Sequence, residues 1–201
     1  GPLTRSVHNK RFFCCWIDSC SKHAWVDVMQ HKSESIASWR RHHAFAQNQT
    51  GRRLLKLTTD RAGEYCGKEM QSHLDANGII FAPTSARSSN LNGQAERFLQ
   101  SITKRMICAL QRAQPISIRM WEHALRAMVH CHNKTPHTAL PREGRTHATP
   151  HQLFFGKGKP NLGNLRVWGS PCIVHVDKVP RENAFVPRGE HAQFIGHTPL
   201  P

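Results

Sequence analysis

Three carboxylates in this 201-residue sequence fall at the borders of predicted elements. Asp18 closes the apolar run from Arg11 (RFFCCWID), Asp60 closes a second run from Leu54 (LLKLTTD), and Glu96 lies in the first turn of a predicted long helix. Short apolar runs of this kind read as strands buried on both faces, and in sheet-based α/β folds functional groups collect at strand ends. Three carboxylates gathered there repel one another unless cations neutralise them. Hard oxygen donors suit Mg²⁺ or Mn²⁺, and two such ions roughly 3.5 to 4 Å apart can activate an attacking hydroxyl and stabilise the leaving oxygen of an in-line phosphoryl displacement. The expected chemistry of Asp18, Asp60 and Glu96 is phosphoryl transfer on a polyanion. Read singly, each has a plainer role: Asp18 caps a strand, Asp60 starts a turn, and Glu96 complements a helix dipole, which is worth about 0.3 to 1 kcal/mol.

The elements that must position them alternate strand and helix. His23 to Gln30 (HAWVDVMQ) has a period of two and predicts a strand antiparallel to the first. A helix is expected over residues 33–49, capped by Ser33 and stopped by Gly51, and another over 68–77 stopped by Gly78, with a short strand at 79–82. Residues 83–91 (PTSARSSNL) read as a loop, and Asn92 caps a helix running to about Gln114. Its apolar stripe is expected at Ala95, Leu99, Ile102, Met106 and Leu110, with Gln100 and Lys104 on the face of Glu96. A further helix over 119–134 is followed by a Pro-, Gly-, Thr- and His-rich tether containing a short helix at 149–155, then by strands at 165–176 and 192–196. Gly1, Pro2 and Leu3 read as the remnant of a tag-protease site. The expected organisation is residues 1–10 as scar and extension, 11–135 as core, 136–163 as linker and 164–201 as a small β module.

Twenty-eight Lys and Arg against 13 Asp and Glu give a net charge of +15, which asks for a polyanionic partner. No apolar run reaches the roughly 18 residues of a membrane span, so nucleic acid is favoured over a lipid surface. Arg40, Arg41, His42 and His43, then Arg52, Arg53 and Lys56, form the densest basic cluster and are candidates for phosphate contact, with ordinary solubilising charge as the rival reading. Seven cysteines without paired spacing are expected to be reduced and mostly buried. His130, Cys131 and His132 are adjacent on a helix and cannot all face one zinc ion, so they are read as structural.

The words around the three acids, FFCCWIDSCSKHAWVDVMQHKSE, LLKLTTDRAGEY and NGQAERFLQSITKRM, resemble the acid-bearing motifs of copia-type retrotransposon integrases, in the retroviral integrase superfamily. Between Asp60 and Glu96 lie 35 residues, as in the superfamily signature. Further similarity runs through WEHALRAMVHCHNKT, TPHQLFFGKGKP and LRVWG to FIGH at 194–197. Ser19 stands where the family commonly has a second aspartate, and Ala62 where it usually has a second glycine before GEY. The resemblance implies a ribonuclease-H-like mixed sheet flanked by helices, with a small C-terminal SH3-like β module. It implies Asp18, Asp60 and Glu96 as ligands of two Mg²⁺ or Mn²⁺ ions, and an enzyme that trims DNA 3′ ends and joins them to target DNA. Double-stranded DNA, a homo-oligomer of at least two copies, and a nuclear site of action after a cytoplasmic particle stage follow from it. Asn92, Gln100 and Lys104 join the basic cluster as candidate DNA contacts. The alternatives are a domesticated, inactive integrase that only binds DNA, and an RNA-cleaving hydrolase of the same fold.

Overall fold

In a computed structural model of the chain, the described residues are 3–59, 65, 67–83, 93–144, 146–156, 158–175 and 189–197. The first two strands, β1 (Phe12–Ile17) and β2 (Ala24–Met29), form the expected antiparallel hairpin, with Phe12 opposite Met29 and Ile17 opposite Ala24. A single turn of 3₁₀ helix at Lys32–Glu34 leads into α1 (Ser35–Thr50), so Ser33 sits inside that turn rather than capping α1. Instead Glu34 accepts from the backbone N–H groups of Gln30 and His31. Gly51 ends α1 at φ 66°, the left-handed conformation a glycine takes at no steric cost.

Strand β3 (Lys56–Thr59) pairs in parallel with β4 (Ile80–Pro83), and α2 (Lys68–Ala76) makes the crossover between them. Leu54 and Leu55 lie ahead of the strand, which is shorter than expected. The long helix α3 spans Gly93–Arg112 and α4 spans Trp121–Lys134, after a 3₁₀ turn at Ile118–Met120. The tether carries a two-residue ribbon, β5 (Arg142–Glu143) with β6 (Thr146–His147), that the sequence did not announce. It then carries α5 (Pro150–Phe155), where Thr149 and Gln152 complete a capping box. Strands β7 (Pro171–His175) and β8 (Gly189–Gln193) make the last antiparallel pair.

Alternation along β1 divides the core into two layers. Cys14 and Trp16 face a cluster with Trp39 of α1, Leu57 of β3, and Met70 and Leu74 of α2. Phe13, Cys15 and Ile17 face the other way, onto Phe98, Ile102, Met106 and Leu110 of α3 and Trp121, Leu125 and Val129 of α4. The strands are thus covered by helices on both sides, a mixed α/β layering. Ser38 fastens α1 to the hairpin by accepting from Trp16 Nε1 at 2.9 Å and donating to Asp27 Oδ2 at 2.6 Å.

Three expectations are corrected. The buried stripe of α3 begins at Phe98, and Leu99 is 36% exposed while Ala95 is only half-buried. Among the described cysteines all are free thiols, but Cys14 alone is buried, and Cys20 and Cys108 are exposed. Residues 165–170 are not a strand: Trp168 is buried at the end of α3, donating from Nε1 to the carbonyl of Ile195 at 2.9 Å. Beside it Gly169 takes φ 81°, and a Cβ there would lie 2.2 Å from Ala113 Cβ. Among the described residues the C-terminal part offers the single β7–β8 pair, and an SH3-like module is not shown.

Leu3 to Lys10, read from sequence as tag scar and extension, is tied to the rest of the chain. Leu3 N–H donates to Arg11 O, Trp121 Nε1 donates to Thr4 O, Val7 N–H donates to Arg119 O, and Ser6 is fully buried. No helix among the described residues is long and apolar enough to cross a membrane.

Candidate active site and basic cleft

Asp18 follows β1 and opens the tight turn into β2. Its N–H donates to His23 O, and Lys22 N–H returns to Asp18 O, each at 2.9 Å. Ser21 donates from N–H and hydroxyl to Asp18 Oδ2, at 2.7 and 2.6 Å; neither bond uses Oδ1. That carboxylate is therefore aimed by its own turn, with one oxygen engaged by Ser21.

Lys22 stands at φ 62° in this turn, and its ammonium donates both to Ser19 O and to Gln94 Oε1, the latter at 2.9 Å. Gln94 belongs to the first turn of α3, two residues before Glu96. The bridge thus brings the start of α3 to the edge of the hairpin that carries Asp18. Glu96 is exposed, and so are Gln100 and Lys104, one and two turns along the same face. Asp60 and Asn92 lie outside the described residues, as do Ala62 and Glu64; β3, which Asp60 follows in sequence, ends at Thr59.

The basic cluster on α1 fares differently from its sequence reading. Arg40 pairs with Glu69 at 2.8 Å and Arg41 with Asp27 at 3.1 Å, so each guanidinium is partly neutralised. His42 and His43 are buried, and burial lowers the pKa of both, that of His42 to about 4. Arg52, Arg53 and Lys56 are exposed, with Arg52 reaching Leu153 O at 3.5 Å. This cluster lies on the α1 side of the strands, opposite α3.

Sequence reading missed a cleft of about 390 Å³ between α3, the Asp18 turn and the end of α4. Lys22, Arg97, Arg105, His132 and His137 line it over an apolar floor of Ile17, Phe98 and Ile102, and no carboxylate is among the described lining residues. Burial lowers the pKa of His132, which also contacts Lys22 O through Nε2 at 3.1 Å, and Lys22, Arg97 and Arg105 give the cleft its basic side chains. The signal was present in the i, i+4, i+8 spacing of Arg97, Ser101 and Arg105. It became a cleft only because α4 returns beside the turn. Such a cleft can hold an anion against apolar walls that strengthen the attraction.

The mixed α/β fold is similar to that of integrase catalytic cores. No protein-family model matches the sequence. In fold, the chain resembles a simian T-cell lymphotropic virus intasome chain solved in complex with a PP2A regulatory subunit, with TM-score 0.58, 16% identity, and 92% of this chain and 62% of that one covered. It also resembles the HTLV-2 integrase catalytic core domain solved with magnesium in a trimeric form, with TM-score 0.50, 16% identity, and 74% and 88% covered. Its homologues are Pol polyproteins of copia-type retrotransposons. That of transposon TNT 1-94 from Nicotiana tabacum is 26% identical over 182 residues, which is 90% of this chain and 13% of the polyprotein.

Proposed function

We propose that this chain is the catalytic core of a retrotransposon integrase, a metal-dependent polynucleotidyl transferase that trims DNA 3′ ends and joins them to target DNA. One observation carries the reading: the Lys22–Gln94 bridge holds the Asp18 turn against the first turn of α3, where Glu96 begins an exposed polar stripe, within an integrase-like fold.

The donor set fits a hard divalent cation. Asp18, Asp60 and Glu96 offer carboxylate oxygens only, and the Ser21 bonds to Asp18 leave Oδ1 out, so these three would hold two Mg²⁺ or Mn²⁺ ions. When bound, such ions supply Lewis acidity to an in-line phosphoryl displacement. In trimming, a water oxygen bonds to phosphorus as the bond to the 3′ oxygen of the DNA strand breaks; in joining, the freed 3′ hydroxyl attacks a target phosphodiester in the same sense. Ser21 orients Asp18, and Lys22, Arg97 and Arg105 draw the phosphate backbone toward this edge. Gln100 and Lys104 extend the contact along α3, with Asn92 before it; Arg40, Arg41, Arg52, Arg53 and Lys56 offer a second basic surface. Phosphate contacts of this kind set position and affinity without reading sequence. The reading includes assembly into a homo-oligomer on double-stranded DNA, and action in the host nucleus after a cytoplasmic particle stage.

The test is a branched DNA that mimics the joined product, incubated with the chain in Mg²⁺ or Mn²⁺ beside Asp60→Asn and Glu96→Gln. Metal-dependent resolution lost in both variants is expected. Resolution that persists in either refutes the acid assignment. Duplex binding without turnover points to an inactive DNA-binding relative, and preference for an RNA–DNA hybrid points to a hydrolase of the same fold.

A further inference from the structure

At the far end of α4, three side chains that the proposed reaction does not use come together. We propose that His8, Glu122 and His123 form a binding site for a transition-metal cation of the zinc type, clasping the N-terminal segment to α4. Their ligand atoms all lie within 4.8 Å of one another, and among the described residues no other group of three His, Cys, Asp or Glu does so. Asn133, at the opposite end of α4, contacts Ala24 beside the Asp18 turn. Glu122 lies eleven helical steps before it, roughly 16 Å along the axis, so this site is distinct from the Asp18 edge.

The fold fixes the trio from both sides. Glu122 and His123 occupy the first turn of α4. His8 is carried by a turn that Ser6 organises: the Ser6 hydroxyl accepts from the N–H groups of His8 and Lys10, and Val7 N–H donates to Arg119 O. His8 Nδ1 meets Glu122 Oε1 at 2.6 Å, and the His8 and His123 ring centroids are 5.5 Å apart. The Glu122 side chain is 4% exposed and that of His8 is 65% exposed. A buried carboxylate of this kind requires a cationic or hydrogen-bonding partner.

Two imidazoles and one carboxylate are the donors of three-ligand zinc sites, which keep a fourth position for water. Softer cations such as Co²⁺, Ni²⁺ and Cu²⁺ accept the same set, whereas the all-oxygen trio of Asp18, Asp60 and Glu96 suits Mg²⁺. Zinc bonds of roughly 2.0 to 2.2 Å in tetrahedral array put ligand atoms roughly 3.3 to 3.5 Å apart. The His8–Glu122 pair has to open by less than about 1 Å to admit the ion, a movement the exposed His8 ring can make.

The whole chain, stripped with chelator and returned to metal-free buffer, is titrated with Co²⁺ and Zn²⁺, alongside His8→Gln and His123→Gln. His8→Gln keeps a donor for Glu122 and removes only the metal-binding nitrogen. With excess Mg²⁺ present to occupy the all-oxygen trio, the expected result is one equivalent of Co²⁺ with visible absorption and no near-ultraviolet thiolate band, and a higher melting temperature with Zn²⁺. Each variant weakens binding by at least about tenfold, the loss typical of disturbing even an outer-shell partner. Unaltered binding in His8→Gln, a thiolate band, or no saturable site in the wild type overturns the proposal and leaves His8–Glu122 an ion pair. Should His123→Gln fail to fold, His8→Gln decides alone. The readouts are independent of DNA chemistry, so failure here leaves the integrase reading standing.

Discussion

Taking this domain from about pH 7.5 to about pH 5 should cost about 4 kcal/mol of stability through two histidines alone. His23 and His42 serve as aromatic packing. The His23 ring lies 4.1 Å from Trp25 and 4.7 Å from Phe154, centroid to centroid, and His42 lies 4.1 Å from Trp25. In both rings Nδ1 is buried without a hydrogen-bond partner. Burial lowers the pKa to about 3 for His23 and about 4 for His42. A cation–π contact with Trp25 would favour the charged rings by about 2 kcal/mol, but burying an ion costs several kcal/mol, so the neutral form wins.

The sign follows from linkage. With folded values depressed below about 6.5, the unfolded chain binds more protons, so stability is full above that pH and is lost as pH falls below it. At about pH 5 the unfolded imidazoles are almost fully protonated and the folded ones almost fully neutral, which gives about 2 kcal/mol per histidine. His130 shifts the same way, to about 4, but it is only partly buried, and solvent screening shrinks its share. Ordinary carboxylates titrate near about pH 4 and leave this window largely to the histidines. Urea unfolding at the two pH values measures the loss in the wild type and in the His23→Phe, His42→Phe double variant. With a urea slope of about 2 kcal/mol/M, the pH-dependent drop in midpoint should be smaller by about 2 M in the double variant. Equal drops in both proteins would refute the reasoning, whatever the variant's absolute stability.

Other consequences are as direct. Arg97→Gln and Arg105→Gln should each weaken duplex DNA binding and flatten the log K against log salt slope by about 1, measured by fluorescence anisotropy; an unchanged slope removes that side chain from the phosphate path. Lys22→Gly keeps the positive φ of the Asp18 turn and deletes its bridge to Gln94. The first amides of α3 should then exchange with deuterium roughly five- to tenfold faster, with β1 and β2 unaffected. Gly169→Ala sets a Cβ against Ala113 at a φ only glycine adopts freely, and should cost about 2 kcal/mol or more in thermal or chemical unfolding.

What the sequence disclosed was local. The β1–β2 hairpin, the stop of α1 at Gly51 and of α2 at Gly78, and the helix at 149–155 are each written in a period or a terminating residue. Its errors have physical causes. Ala95 and Leu99 fit a helical stripe as well as Phe98 does, because residues one step apart differ by only about 100° around the axis, and the choice is made by where β1 and α4 lie. Leu165 to Gly169 is apolar enough for a strand, yet Trp168 is needed to close the core at the end of α3, a contact across more than fifty residues. The importance of Ser21, Lys22 and Gln94 was hidden for the same reason: an ordinary turn and an ordinary helix start gain meaning only when placed side by side.

That placement explains why one acid of the candidate site is fixed so firmly. The turn between β1 and β2 is gripped from three directions: by the hairpin itself, by Gln94 of α3 through Lys22, and by α4, where the Asn133 amide both accepts from Ala24 N–H at 2.9 Å and donates to Ala24 O at 2.8 Å. His132 adds a contact to Lys22 O from the same helix. Asp18 therefore stands on a rigid edge with its carboxylate already oriented by Ser21, whereas Glu96 projects from the exposed face of a helix start that the Lys22–Gln94 bridge ties down. On the proposed integrase reading, preorganising one acid and leaving another exposed would suit chemistry on a polymer: the fixed acid would define where the reacting phosphate must sit, and the second would close on it when cation and DNA arrive together.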